Sequence, residues 1–268
     1  EETGMTFIHP YDDEQTIAGQ GSIGLEILEQ LPDVEAVVVP IGGGGLISGV
    51  ACAIKSLKPS VKVYGVQAEG AASMYNAFHA KEYQTLDSVK TFADGIAVKT
   101  PGLLTYELIN KYVDDIVTVS EDEIATAIVS LMEKQKVVAE GAAATTVAAC
   151  LFNKLPIKGL KTVCVISGGN IDLNILSRVI TRGMVTSGRQ SNLTIALEDK
   201  PGQLAQISEI ICKTGANIHY VNHDRADANM PITSCFLKLY LETRNWEQVE
   251  EVRNALTEAG YQIVKERV

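Results

Sequence analysis

The spacing of apolar and polar residues changes along the chain, and each change marks an element. Residues 36–41 are β-branched and apolar almost without a break, which predicts a strand buried on both faces. Residues 46–57 carry apolar side chains at helical spacing. A second strand is expected over 61–67, a helix over 71–80 and a short strand over 115–119. Ser120 then reads as an N-cap, with Glu121, Asp122 and Glu123 where the helix dipole favours negative charge. That helix continues through Ile124, Ile128 and Leu131. Residues 142–155 are alanine-rich and apolar nearly all round, so they predict a helix with no solvent face. A strand over 161–166 and a helix over 172–182 follow. Strands alternating with helices predict an α/β fold, its mostly parallel sheet covered on both sides.

At residues 187–191 the composition turns small and polar, and a linker is expected there. It would separate a domain of residues 1–186 from one of residues 192–268. The second part reads strand 193–197, helix 203–214, strands 217–222 and 233–242, helix 246–259 and strand 261–265. That order is β-α-β-β-α-β, a ferredoxin-like α+β module. Pro201 is expected near the first helical position, and Gly215 and Gly260 just past the two helix ends.

Charge and cysteine content narrow the function classes. The net charge of −10 leaves no basic stripe to neutralise phosphates, which argues against a nucleic-acid partner. No apolar run reaches the ~20 residues that cross a bilayer, so no membrane partner is expected. The start, Glu1-Glu2-Thr3-Gly4, does not read as a signal peptide. Five cysteines without paired spacing predict reduced core thiols in a cytoplasmic protein. His219 and His223 are read as surface or site-lining residues, and no metal site is expected.

Two glycine-centred motifs carry the chemistry. The first, Gly42-Gly43-Gly44-Gly45-Leu46, follows the strand at 36–41 and opens a helix. Four glycines leave backbone N–H groups free to approach a ligand, and a helix start behind them favours an anion, which makes a phosphate cradle. A dinucleotide fingerprint is the rival, but it needs G-x-G-x-x-G and an acidic residue ending the next strand, where this chain has Gln67. The second motif, Ser167-Gly168-Gly169-Asn170, places a hydroxyl where a strand ends. Ser167 serves either as a ligand contact or as a turn residue.

The pair resembles fold-type II pyridoxal-phosphate enzymes, the group of threonine and serine dehydratases and serine racemase. The stretches Ile17–Glu26, Ala93-Asp94-Gly95-Ile96 and Ala139-Glu140-Gly141-Ala142 share that resemblance. It runs from the first residue to about Arg189, and residues 193–264 resemble an ACT module, a small ligand sensor. The combination resembles threonine dehydratase of the biodegradative type. The implied fold is a tryptophan synthase β-like parallel sheet, incomplete here, followed by the ACT domain. The implied cofactor is pyridoxal 5′-phosphate, held by Gly42, Gly43, Gly44, Gly45, Leu46, Gly95, Ser167, Gly168 and Asn170. Ser167 would face the ring nitrogen and keep it near neutral, which suits elimination of water. Glu140 would supply polarity near the site, and Tyr11 would lie beside the ring. Asp94 and Glu140 have plainer readings as caps, and Tyr11 as a loop aromatic.

The sequence also departs from the group. Racemase-like members hold a divalent ion on carboxylates, and this chain has Gln67 and Ser73 at the corresponding places. The Schiff-base lysine segment, Lys-x-Arg-Gly, and the Gly-Asn-His substrate loop do not occur in the sequence. The chain is therefore expected to be the C-terminal two-thirds of a longer enzyme, without catalytic residues of its own and inactive alone. The implied reaction converts L-threonine to 2-oxobutanoate and ammonia, with L-serine to pyruvate as a second substrate. The competing readings are an amino-acid-binding regulatory fragment and a serine dehydratase or racemase-like relative.

The expected partners are a small amino-acid substrate, an effector and further copies of the chain, as a dimer or tetramer. By the same resemblance, Asp199, Gly202, Gln203, Leu204, Asn217 and Ile218 would bind the effector, isoleucine or valine, between paired modules. A purely structural dimerisation domain is the alternative.

Overall fold

Four strands make the first sheet: β1 (Ala36–Pro40), β2 (Lys62–Ala68), β3 (Asp115–Val119) and β4 (Thr162–Cys164). Their order is β3-β2-β1-β4 and every pair is parallel. The structure, a computed structural model, describes residues 7–225 and 231–264. The start Glu1–Gly4 and Lys265, expected to end the last strand, lie outside the described residues.

The chain divides into two compact units, Glu1–Val179 and Ile180–Val268. In the first, alternate strand residues enter two separate cores. Val38 and Val66 pack with Ala143, Ala148 and Ile128 on one face; Val37, Val39 and Val63 pack with Ile47, Ile54 and Met74 on the other. This is the double burial that the unbroken apolar run requires. The helices are α1 (Glu14–Gln30), α2 (Gly45–Leu57), α3 (Ser73–Ala80), α4 (Leu103–Tyr112), α5 (Glu121–Gln135), α6 (Gly141–Leu151) and the first half of α7 (Leu173–Thr186), the rest of which belongs to the second unit. Ser120 and Glu123 close a reciprocal capping box at the start of α5. Asp114, just before β3, gathers Lys55 of α2 at 2.6 Å, Lys62 of β2 at 2.8 Å and the Val63 N–H at 2.8 Å. Burial pushes the Asp114 carboxyl up, but these three donors outweigh it and hold the group below the usual carboxylate range.

The helices α1 and α2 meet through glycines. A Cβ on Gly49 would run into the carbonyl of Ile17, and one on Gly24 would lie 2.9 Å from the carbonyl of Val50. Backbone therefore packs directly on backbone.

Several expected boundaries move. The helix expected over 142–155 stops at Leu151, and the strand expected over 161–166 is Thr162–Cys164. The expected linker 187–191 is shorter, because Gln190 and Ser191 already pair with Glu242 and Leu241. Helices α1 and α4 carry no sequence expectation above.

The second unit holds β5 (Gln190–Glu198), α8 (Gln203–Lys213), β6 (Asn217–Asp224), β7 (Ser234–Glu242), α9 (Trp246–Glu258) and β8 (Gln262–Val264). The order β6-β7-β5-β8 with antiparallel pairs is the ferredoxin-like arrangement. Leu193, Ile195, Leu237 and Leu239 form one face of the sheet and pack with Ile207, Ile211, Val252 and Leu256. Pro201 sits ahead of the cap rather than inside the helix: Gly202 is the N-cap of α8, with φ of 95°.

Candidate active site

The loops that follow β1 and β4 meet at the carboxyl ends of the parallel strands, the usual ligand edge of such a sheet. They wall a cavity of about 250 Å³, lined by Gly42, Gly43, Gly44, Gly45 and Leu46 from one side and by Ser167 from the other. Tyr11, Gly95 and Glu140 also line it. The glycines are required by space. Gly44 is the N-cap of α2 with φ of 102°, and a Cβ there would lie 2.9 Å from Thr105. A Cβ on Gly43 would run into the ring of Tyr11. Behind them, the first turn of α2 turns its N–H groups toward the loop.

Three consecutive residues anchor the segments around this loop. Tyr11 lays its ring on Gly43 and donates its hydroxyl to the Thr100 carbonyl at 3.2 Å. Burial, with the nearby Asp12 charge, raises its phenol above the ordinary value. Asp12 accepts the N–H groups of Leu103 at 3.0 Å and Thr105 at 3.2 Å, so it caps α4 from another part of the chain. Asp13 caps α1 by accepting the Thr16 N–H at 2.9 Å. The hydroxyl of Thr105 then donates to the Gly43 carbonyl at 2.6 Å. Asp12 and Thr105 have no place in the sequence reading. Asp12 lies beside Asp13 in an ordinary acidic helix start, and its true partner is ninety-three residues away.

Gly168 and Asn170 do not line the cavity. They fasten its wall. The Asn170 N–H donates to the Glu140 carboxylate at 3.0 Å, and the Glu140 N–H donates to the Gly168 carbonyl at 3.1 Å. Glu140 thus occupies the N-cap position of α6 without a side-chain cap bond, and its carboxylate serves the neighbouring loop. Asp94 caps its own turn, accepting the Gly95 N–H at 2.9 Å. Gln67 is fully buried and structural: it donates to the Ile41 carbonyl at 3.3 Å and accepts the Tyr75 N–H at 2.7 Å. Ser73 donates to the Val98 carbonyl at 2.9 Å.

Residues 1–169 match the sequence profile of the family described as "Pyridoxal-phosphate dependent enzyme". The chain belongs to that family. It is 51% identical over 263 residues to the L-threonine ammonia-lyase of Thermotoga maritima, covering 98% of this chain and 65% of that protein. It is 54% identical over 178 residues to the catabolic L-threonine dehydratase TdcB of Escherichia coli K12, covering 66% of this chain and 54% of that one. The chain therefore spans between about half and two thirds of the length of these relatives. Among solved structures it is similar to the processed form of threonine deaminase isoform 2 from Solanum lycopersicum, with a TM-score of 0.64 and 38% identity over 69% of this chain and 51% of that one. A serine racemase from Dictyostelium discoideum follows at a TM-score of 0.60 and 40% identity, over 64% of this chain and 56% of that one.

The six residues expected at an effector site do not form one group within the chain. Asp199, Gly202, Gln203 and Leu204 follow the end of β5, next to the start of β7. Asn217 and Ile218 pair with Glu242 and Leu241 at the other end of that strand. Asp199 is already engaged by Arg225, whose Nε lies 2.8 Å from Oδ2. Among the described residues, no helix is long and apolar enough to cross a membrane.

Proposed function

We propose that this chain supplies the phosphate cradle and ring pocket of a pyridoxal-phosphate-dependent threonine dehydratase. The observation that carries the reading is the single cavity walled by Gly42–Gly45 and Ser167, in a chain whose relatives are named for threonine. The residues present suit the cofactor. A glycine loop at a helix N-terminus takes a phosphate ester. At about 250 Å³ the cavity sits just below the ~300–1,000 Å³ typical of small-molecule sites, which suits a small flat ligand. When bound, pyridoxal phosphate supplies the electron sink for loss of the α-proton and the β-hydroxyl of L-threonine.

In this reading Gly42–Gly45 bind the phosphate through backbone N–H groups, with Leu46 beginning the helix behind them. Ser167 presents its hydroxyl to the ring nitrogen. Gly95 lets the backbone approach the ring edge, and Tyr11 walls the cavity against the glycine loop. Glu140, Gly168 and Asn170 keep Ser167 in place. The reaction itself is proposed for a protein that spans the full length of the relatives, in which a lysine carries the cofactor. Gln67 and Ser73 offer no carboxylate for a divalent ion, which favours dehydratase over racemase chemistry.

For the second unit we propose an ACT-type regulatory domain, residues 192–268, in a cytoplasmic homo-oligomer. A branched-chain amino acid would bind between two copies, at Gly202, Gln203 and Leu204 of one and Asn217 and Ile218 of the other. The ferredoxin-like strand order supports this assignment.

Equilibrium dialysis of the chain against pyridoxal phosphate tests the cradle. Binding is expected, and Gly44→Val is expected to abolish it; equal binding by the variant would overturn the assignment. Release of 2-oxobutanoate from L-threonine by the full-length form tests the reaction, and its absence would favour a regulatory role without catalysis.

A further inference from the structure

We propose that Asp199, His223 and Cys235 form a binding site for a thiophilic divalent cation, with Zn²⁺ the ion that their chemistry fits best. The three side chains come from neighbouring positions at one end of the second sheet. Cys235 on β7 pairs with Leu197 on β5, and Asp199 is two residues further along the same face, its N–H bonded to the Thr233 carbonyl at 2.9 Å. His223 on β6 pairs with Leu237, two residues along β7 from Cys235. Side chains two apart in a strand share a face, so all three point to the side that carries the buried Leu237 and Leu239.

The distances are those of a site close to assembled. His223 Nε2 lies 2.9 Å from Cys235 Sγ and 3.6 Å from Asp199 Oδ1, and the three ligand atoms all fall within 4.8 Å of one another. Tetrahedral zinc, with bonds of roughly 2.0–2.3 Å, separates its ligand atoms by about 3.3–3.7 Å. Imidazole nitrogen and sulfur therefore need to open by only about half an ångström. One sulfur, one nitrogen and one oxygen form a donor set that zinc accepts and that magnesium and calcium do not. Cys235 is 1% exposed, whereas His223 and Asp199 reach solvent, which gives the ion an entry path and a position for water. Arg225 grips both oxygens of Asp199, with Nε 2.8 Å from Oδ2 and Nη2 donating to Oδ1 at 3.0 Å. It can keep Oδ2 and orient the carboxylate while Oδ1 exchanges its bond to Nη2 for the ion.

On binding, the S–H bond of Cys235 breaks, its proton leaves to solvent and a metal–sulfur bond forms. His223 binds through the Nε2 lone pair and keeps its proton on Nδ1. The ion would tie the β5–α8 loop to β6 and β7. This proposal is independent of the cofactor reading.

The test uses the 268-residue chain, freed of metal with a chelator and titrated with ZnCl₂ or CoCl₂. One ion per chain is expected, with a thiolate-to-cobalt charge-transfer band and a rise in melting temperature with Zn²⁺. Cys235→Ser should remove the band, and His223→Gln and Asp199→Asn should each weaken binding about tenfold or more. Both His223 and Asp199 lie outside the core, so their variants report even if Cys235→Ser fails to fold. Absence of binding would overturn the proposal. So would a cobalt spectrum and affinity unchanged in His223→Gln and Asp199→Asn, which would move the ion to the Cys150–Cys164 pair, whose sulfurs lie 3.3 Å apart.

Discussion

Asp12 accepts the backbone N–H of Thr105 at 3.2 Å, and Thr105 in turn donates its hydroxyl to the carbonyl of Gly43 at 2.6 Å. A carboxylate near the start of the chain thereby holds a helix start and the glycine loop together. Asp12→Ala is expected to lower stability by about 1–2 kcal/mol, the range for loss of a helix cap. Thr105→Val should cost a similar amount, and the double variant less than the sum, because both act on one chain of bonds. Urea midpoints of the four proteins check this; strict additivity would show that the bonds are independent.

Gly44→Ala places a Cβ at φ of 102° and 2.9 Å from Thr105. Backbone strain of this kind costs on the order of 1–3 kcal/mol, and the contact adds to it. The expected result is a clear fall in denaturant midpoint together with weaker binding of inorganic phosphate. A variant as stable as the parent would show that the loop takes another conformation.

Glu140 should act through charge and shape separately. Glu140→Gln keeps an acceptor for the Asn170 N–H and is expected to lose well under 1 kcal/mol, whereas Glu140→Ala should lose about 1 kcal/mol or more, in line with a charge-assisted bond at a half-exposed site. Amide exchange at Asn170, read by NMR, should accelerate in the alanine variant alone. Equal exchange in all three proteins would remove Glu140 as the support of that loop.

Asp114 carries a pH dependence whose sign is fixed. Its carboxyl titrates lower in the folded protein than in the unfolded chain, so the unfolded chain binds its proton first on acidification. The stabilisation is present above the unfolded value, about 3.9, and is lost as pH falls through the lower folded value. Asp114→Asn is expected to lose about 1–3 kcal/mol at neutral pH, with Lys55 and Lys62 left without their carboxylate. Its gap to the parent should narrow in acid; urea midpoints between neutral pH and pH 3 measure that, and a constant gap would contradict the assignment.

The sheet was legible because β1 and β2 are buried on both faces, and burial leaves its mark on every residue of such a strand. The glycine loop was legible for a related reason: four glycines in a row mark a place where backbone comes close to its surroundings. Helix α1 was not, because Gly19, Gly21 and Gly24 weaken its helical signal, and Gly21 and Gly24 make sense only once Gly49 and Val50 of α2 face them. Asp12, Thr105 and the grouping of Asp199, His223 and Cys235 stayed hidden for want of local spacing. Their partners come together only through the fold.

The glycine contact between α1 and α2 also sets how the cavity responds to change at a distance. A side chain at a helix interface can switch rotamer and absorb a misfit, but two touching backbones have no such slack. The start of α1 is continuous with Asp12 and Tyr11. A displacement at Gly49 or Ile17 would therefore travel along the helix and arrive at the ring that covers Gly43. The wall of the cavity inherits its tolerance from a joint buried elsewhere in the unit, and a screen for altered ligand fit has reason to begin at that joint.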